Sequence, residues 1–115
     1  AVVSLGEYEK AMEESLTAFR ARMEKLDEIC LEEGRDPSTL RRCYFAGWAN
    51  EPIFASTDAT ADLIGRYADA GATDFTFYLH NPAEPALDGL VSSHRMATRD
   101  QFEETAHEVL PLFRN

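Results

Sequence analysis

The chain has 115 residues, 44% of them apolar, enough for one domain with a modest core and too apolar for a disordered segment. Eleven Lys and Arg stand against 21 Asp and Glu, a formal net charge of −10, which argues against a surface that attracts nucleic acid or acidic lipid. No apolar run of about 18 residues is present to span a membrane, and no basic-then-apolar signal segment opens the chain.

The chain opens on Ala1, Val2 and Val3 without an initiator Met, the expectation for a processed chain or a piece of a longer protein. Cys30 and Cys43 are too few for a disulfide framework and form no Cys-x-x-Cys pair. They read as two reduced, partly buried thiols of a cytoplasmic protein, with a bond between them or a reactive thiol as the alternative.

Ser4 and Glu7 have capping-box spacing at the start of a helix, with Leu5 just inside it. Tyr8, Met12, Leu16, Phe19, Met23, Leu26 and Cys30 then recur at spacings of three and four, one apolar stripe on a long helix. The pattern runs to Glu33, where Gly34 stops it, and its length allows a break near Ser15–Thr17. Asp36 is placed to cap a short turn with Pro37 at its first position. Arg41 to Trp48 reads as a strand, with Gly47 marking a bend or a close backbone approach. Ser56 or Thr57 caps a helix over about Asp58 to Ala70, and Gly71 ends it. Phe75, Phe77 and Leu79 alternate with Thr76, Tyr78 and His80, a second strand bulky on both faces and typical of a buried parallel sheet.

Residues 82–97 carry Pro82, Pro85, Gly89 and a polar run, and read as a long irregular loop. Thr98 and Gln101 form another capping box. The last helix, Arg99 to Leu110, places Phe102, Ala106, Val109 and Leu110 on one face, and Pro111 ends it. The chain is thus one partial α/β domain: a helical segment over 1–34, strand–helix–strand over 41–81, a loop over 82–97 and a closing helix over 98–115. Two parallel strands this apolar do not complete a sheet. Either the chain belongs to a larger α/β body or it associates with itself to make one.

The run LDEICLEEGRDPSTLRR (Leu26 to Arg42), the join GRYADAGATDFTFY (Gly65 to Tyr78) and the ending VLPLFR (Val109 to Arg114) resemble the C-terminal part of the bacterial luciferase-like monooxygenases. The resemblance covers the chain from about Leu26 onward. It implies a (β/α)8 TIM-type barrel, of which this chain supplies the last two parallel strands and the closing helix. It also implies a flavin-dependent oxidoreductase or monooxygenase using flavin mononucleotide or a deazaflavin, with the pocket at the carboxyl ends of the strands. The six remaining strands of such a barrel are not in this sequence, so the isolated chain is expected to be inactive and to need the rest of the barrel or a second copy of itself.

No self-sufficient catalytic motif is present, neither Gly-x-Ser-x-Gly, His-Glu-x-x-His nor a phosphate-binding loop. The three histidines lack metal-ligand spacing, and no metal is expected. His80, at a strand end, is the candidate catalytic residue, a donor to a flavin or substrate oxygen; its plainer role is a hydrogen bond to the loop. Trp48 and Asn50 hold the matching position after the other strand. With Asn81 and Arg95 they form the candidate cofactor-binding set, Trp48 walling a ring and Arg95 forking onto a phosphate. Packing for Trp48 and solvation for Arg95 are the plainer roles. A colourless self-associating α/β module without cofactor is the second function this sequence allows.

Overall fold

The structure, a computed structural model, describes residues 5–47 and 51–113. It is mixed α/β, mostly helical, with a small parallel sheet. Helix α1 spans Leu5–Glu32 without interruption. Ser4 lies outside the described residues. The expected break near Ser15–Thr17 is absent: the Thr17 hydroxyl donates to the Glu13 carbonyl at 2.8 Å, one turn back, so the polar stretch bonds along the helix. The apolar stripe forms the core side of α1. Tyr8, Met12, Leu16, Phe19 and Cys30 are buried, with Met23 and Leu26 half-buried.

Two helices stop by one device. Gly34 and Gly71 take positive φ, +75° and +114°. Behind each, Arg35 N bonds Cys30 O at 2.8 Å and Ala72 N bonds Tyr67 O at 2.9 Å. These wider bonds close the last turn around a residue whose backbone favours glycine. After Gly34, the Asp36 side chain accepts from Ser38 N and starts a short 3₁₀ turn, Pro37–Thr39.

Strand β1 is Cys43–Phe45, shorter than Arg41 to Trp48. Its pairing ends where Gly47 turns at φ +108°, so close to a neighbour that an added Cβ would meet Arg95 O at 3.0 Å. Helix α2, Thr57–Asp69, begins at the Ser56 cap, and β2 is Asp74–Thr76. The strands are parallel, with Cys43 opposite Asp74, Tyr44 opposite Phe75 and Phe45 opposite Thr76. Opposed residues share a face. Tyr44 and Phe75 pack on the core with α1 and α2, whereas Cys43 and Phe45 are exposed, Phe45 at 52%. The sheet is therefore covered on one side and open on the other.

Beyond β2, Leu79 forms a parallel bridge with Ala97. The segment between them is not the featureless loop expected. A 3₁₀ turn over Pro85–Leu87 leads into a short helix α3, Asp88–Ser92. Pro85 presets the first dihedral of the turn and the Asp88 carboxylate suits the helix start. Thr98 and Gln101 make both bonds of the capping box that opens α4, Arg99–Glu104. The helix then widens into a π turn, Thr105–Val109, and tightens into a 3₁₀ turn, Leu110–Phe113, that contains Pro111. The π turn rotates the expected core face. Thr105 and Val109 are buried, while Phe102 and Leu110 are each 43% exposed.

Both cysteines are free, Cys30 buried and Cys43 exposed. Among the described residues no helix is long and apolar enough to cross a membrane, and no three His, Cys, Asp or Glu side chains gather as a metal site.

Candidate functional site at the carboxyl end of the sheet

A parallel sheet points its strand carboxyl ends the same way. Here Gly47 after β1, Tyr78 to Asn81 after β2, and Arg95 to Ala97 converge at that end. Backbone bonds fix the last two segments together: His80 N donates to Ala97 O at 2.8 Å and Ala97 N to Tyr78 O at 2.9 Å. Gly47 is required where it stands, because an added Cβ would also lie 3.2 Å from the Tyr78 ring.

His80 reaches this edge, as expected from its place in the sequence. Its Nε2 lies 3.0 Å from Oδ1 of Asp88, the first residue of α3, and its side chain is 16% exposed. The carboxylate orients the ring, so Nε2 carries the proton in the neutral imidazole and Nδ1 keeps a lone pair. Asn81 is committed locally. Its Oδ1 accepts from Ala83 N at 3.0 Å and its carbonyl from Glu84 N at 3.0 Å, which builds the turn through Pro82. Arg95 lies elsewhere. It lines a cavity of about 600 Å³ with Glu7, Pro52, Gly89, Leu90 and Ser93, between α1 and α3. Trp48 and Asn50 lie outside the described residues. The structure thus joins His80 to the Arg95 segment through backbone while aiming the two side chains at different surroundings.

The sequence reading missed Glu51. It is 3% exposed, and its carboxylate accepts from the Tyr44 hydroxyl at Oε1 and from the Tyr67 hydroxyl at Oε2, the latter at 2.7 Å. The two phenol rings stack with centroids 3.8 Å apart, and Phe19 of α1 meets both edge-on at 5.6 and 5.1 Å. Burial raises the Glu51 carboxyl above its ordinary value, and the two phenol bonds pull it partly back. Burial, reinforced by the bonds to Glu51, pushes both phenols up. A third phenol, Tyr8, is raised by burial and by Asp62, to which it donates at 3.2 Å. The one available signal was an acid placed directly before the apolar run Pro52-Ile53-Phe54. Its partners sit 7 and 16 residues away, a separation no local pattern reports.

No protein-family model matches this chain, and comparison with curated proteins and with solved structures gives no match either.

Proposed function

We propose that this chain is the C-terminal portion of a luciferase-like, flavin-dependent oxidoreductase or monooxygenase, contributing one wall of the pocket and inactive alone. The observation that carries the reading is the one-sided sheet. Two parallel strands joined by α2 have helices over Tyr44 and Phe75, while Cys43 and Phe45 on the other face stay exposed, Phe45 meeting only the edge of the Tyr78 ring among the described residues. One sector of a (β/α)8 barrel has that form, with helices outside and strand faces turned to an interior that the other strands fill. The resemblance over Leu26–Arg42, Gly65–Tyr78 and Val109–Arg114 supports the same reading.

Arg95 brings a guanidinium, the group that suits the phosphate end of such a cofactor, to a cavity it shares with Ser93 and Glu7. His80, held by Asp88 through Nε2, offers the Nδ1 lone pair at the strand ends where a ring or substrate would lie. A bound reduced flavin supplies the electrons, while these side chains bind, orient and shield.

The test is titration of flavin mononucleotide and of a deazaflavin into the protein expressed from its full reading frame, read by flavin fluorescence. Binding that weakens in Arg95→Ala supports the proposal. Absence of binding to either cofactor overturns it.

A second reading rests on a different observation. Phe45, Leu79, Phe102, Leu110 and Phe113 are 41–52% exposed, large apolar side chains that association would cover. In this reading the chain is a cofactor-free, non-catalytic module that homo-oligomerises through its exposed strands and the long helix α1. A stable colourless dimer by sedimentation, broken by Phe45→Ser, supports it; a monomer with bound flavin sinks it.

A further inference from the structure

We propose that Glu51 is an ionisable latch: its carboxyl pins the loop between β1 and α2 onto the core through Tyr44 and Tyr67, and loss of its proton loosens that loop. The inference stands on geometry and does not depend on the flavin reading.

Glu51 is buried at the head of the stretch that leads into α2. The residues that follow it are locked one by one. Pro52, Ile53 and Phe54 are buried, and Ile53 O accepts from the Thr60 hydroxyl of α2 at 2.6 Å. Phe54 N donates to His94 O at 2.9 Å, and Phe54 O accepts from Gln101 Nε2 of α4 at 3.2 Å. The short stretch 51–54 therefore joins α2, the segment ending in Ala97 and α4 at the carboxyl end of the sheet. Release of its first residue loosens a junction of three elements.

Among the described residues, the groups that face the carboxyl are phenols. From β1 it faces Tyr44, from α2 Tyr67 and from α1 Tyr8, all three of them phenols. Arg66, which acts on Tyr8, is occupied by Glu9 at 2.9 Å and Asp62 at 3.1 Å. Arg95 shares a cavity wall with Pro52, one residue on, and with Glu7. His94 lies on the segment that receives the Phe54 amide. Among the described residues, no cation pairs with Glu51 within ion-pair distance. A buried carboxylate with only neutral donors holds its charge at a cost, so the closed loop keeps the proton to higher pH than the open loop does.

The sign follows from linkage. Below the ordinary glutamate value of 4.5 the carboxyl is neutral whether the loop is closed or open, and the latch is at full strength. As pH rises, the open state gives up its proton first. The opening equilibrium then grows by up to about tenfold per pH unit, until the closed state also ionises and the dependence levels off.

Amide hydrogen exchange on the whole protein, converted to protection factors for Ile53 and Phe54, reads this directly. Protection in the wild type should fall by up to about tenfold per pH unit above the ordinary glutamate range and then level. Glu51→Gln keeps two hydrogen bonds without an ionisable proton, so its protection should stay level over the same range. Any contribution from His94 persists in that variant and is separated by it. If protection falls in parallel in wild type and Glu51→Gln, the proposal is overturned. The second measurement is the ¹³C titration of the Glu51 carboxyl in the wild-type protein, which needs no variant to fold. A midpoint above that of an exposed glutamate such as Glu103 supports the latch, and a midpoint in common with Glu103 overturns it.

Discussion

Tyr67→Phe removes one hydroxyl from the cluster at the centre of the core. Tyr67 is fully buried. The substitution leaves the ring to stack on Tyr44 and meet Phe19, and deletes only the hydroxyl 2.7 Å from Glu51. A hydrogen bond to a charged acceptor contributes about 1.5–3 kcal/mol, so Tyr67→Phe should lose that much once the Glu51 carboxyl has ionised. At roughly 4 °C per kcal/mol for a domain of this size, the melting midpoint falls by about 6–12 °C. Tyr67→Ala, which also removes the ring, should lose about 3–5 kcal/mol. The loss in Tyr67→Phe must depend on pH. Burial raises the Glu51 carboxyl, so at acid pH the acceptor is neutral and the bond contributes nearer to about 1 kcal/mol. As pH rises through the raised value the acceptor ionises and the gap to wild type widens. Urea unfolding followed by circular dichroism at several pH values measures it. A gap below about 0.5 kcal/mol at every pH, or one that stays constant across the series, would refute the assignment of Glu51 as a buried, titrating acceptor of the Tyr67 bond.

Two further substitutions probe the frame around the site. Arg42 is 9% exposed at its side chain and bonds Asp27 at 2.5 Å and Pro37 O at 3.3 Å, tying α1 to the base of β1. Asp27→Asn should destabilise by about 1–2 kcal/mol in urea, less than a fully buried pair because the carboxylate is half in water; no change in midpoint would show the pair to be dispensable. Gly47→Ala and Gly71→Ala form a matched pair, since both sites have φ above +100°. An alanine Cβ at 47 meets backbone at 3.0 Å, whereas at 71 its nearest neighbour is the flexible Met23 side chain at 3.6 Å. Gly47→Ala should therefore lose about 2 kcal/mol or more and Gly71→Ala nearer to about 1; equal losses would mean that the close approach at Gly47 relaxes freely.

The features legible in the sequence are those that short-range chemistry decides. Gly34, Asp36, Ser56, Gly71, Thr98 and Gln101 each act within a few residues of themselves, and each caps or stops what its neighbours suggest. The stripe from Tyr8 to Cys30 was legible for the same reason. Strand length was not. β1 and β2 keep three paired residues each because pairing ends where the backbone at Gly47 meets Arg95, an encounter between distant segments. Helix α3 was hidden by Pro85 and Gly89, which also suit a loop. At the site, His80 was legible from its strand-end position, but Asp88 was not named as its partner. Glu51 was missed because its two partners come from β1 and α2, and only the folded chain brings a lone acid between them.

The π turn at Thr105–Val109 acts as a phase shifter. It holds one residue more than an α turn, and each added residue advances everything after it by about 100° around the axis. That advance sets the azimuth of Leu110 and Phe113, which with Phe75, Phe77 and Phe102 line a trough of about 690 Å³ beside β2. The aromatic character of the trough is written in composition, but its alignment is written in chain length. Deleting one exposed residue of this turn, His107 or Glu108, would keep every apolar side chain and still swing Leu110 and Phe113 away from Phe75 and Phe77, so at these two positions length matters more than residue type.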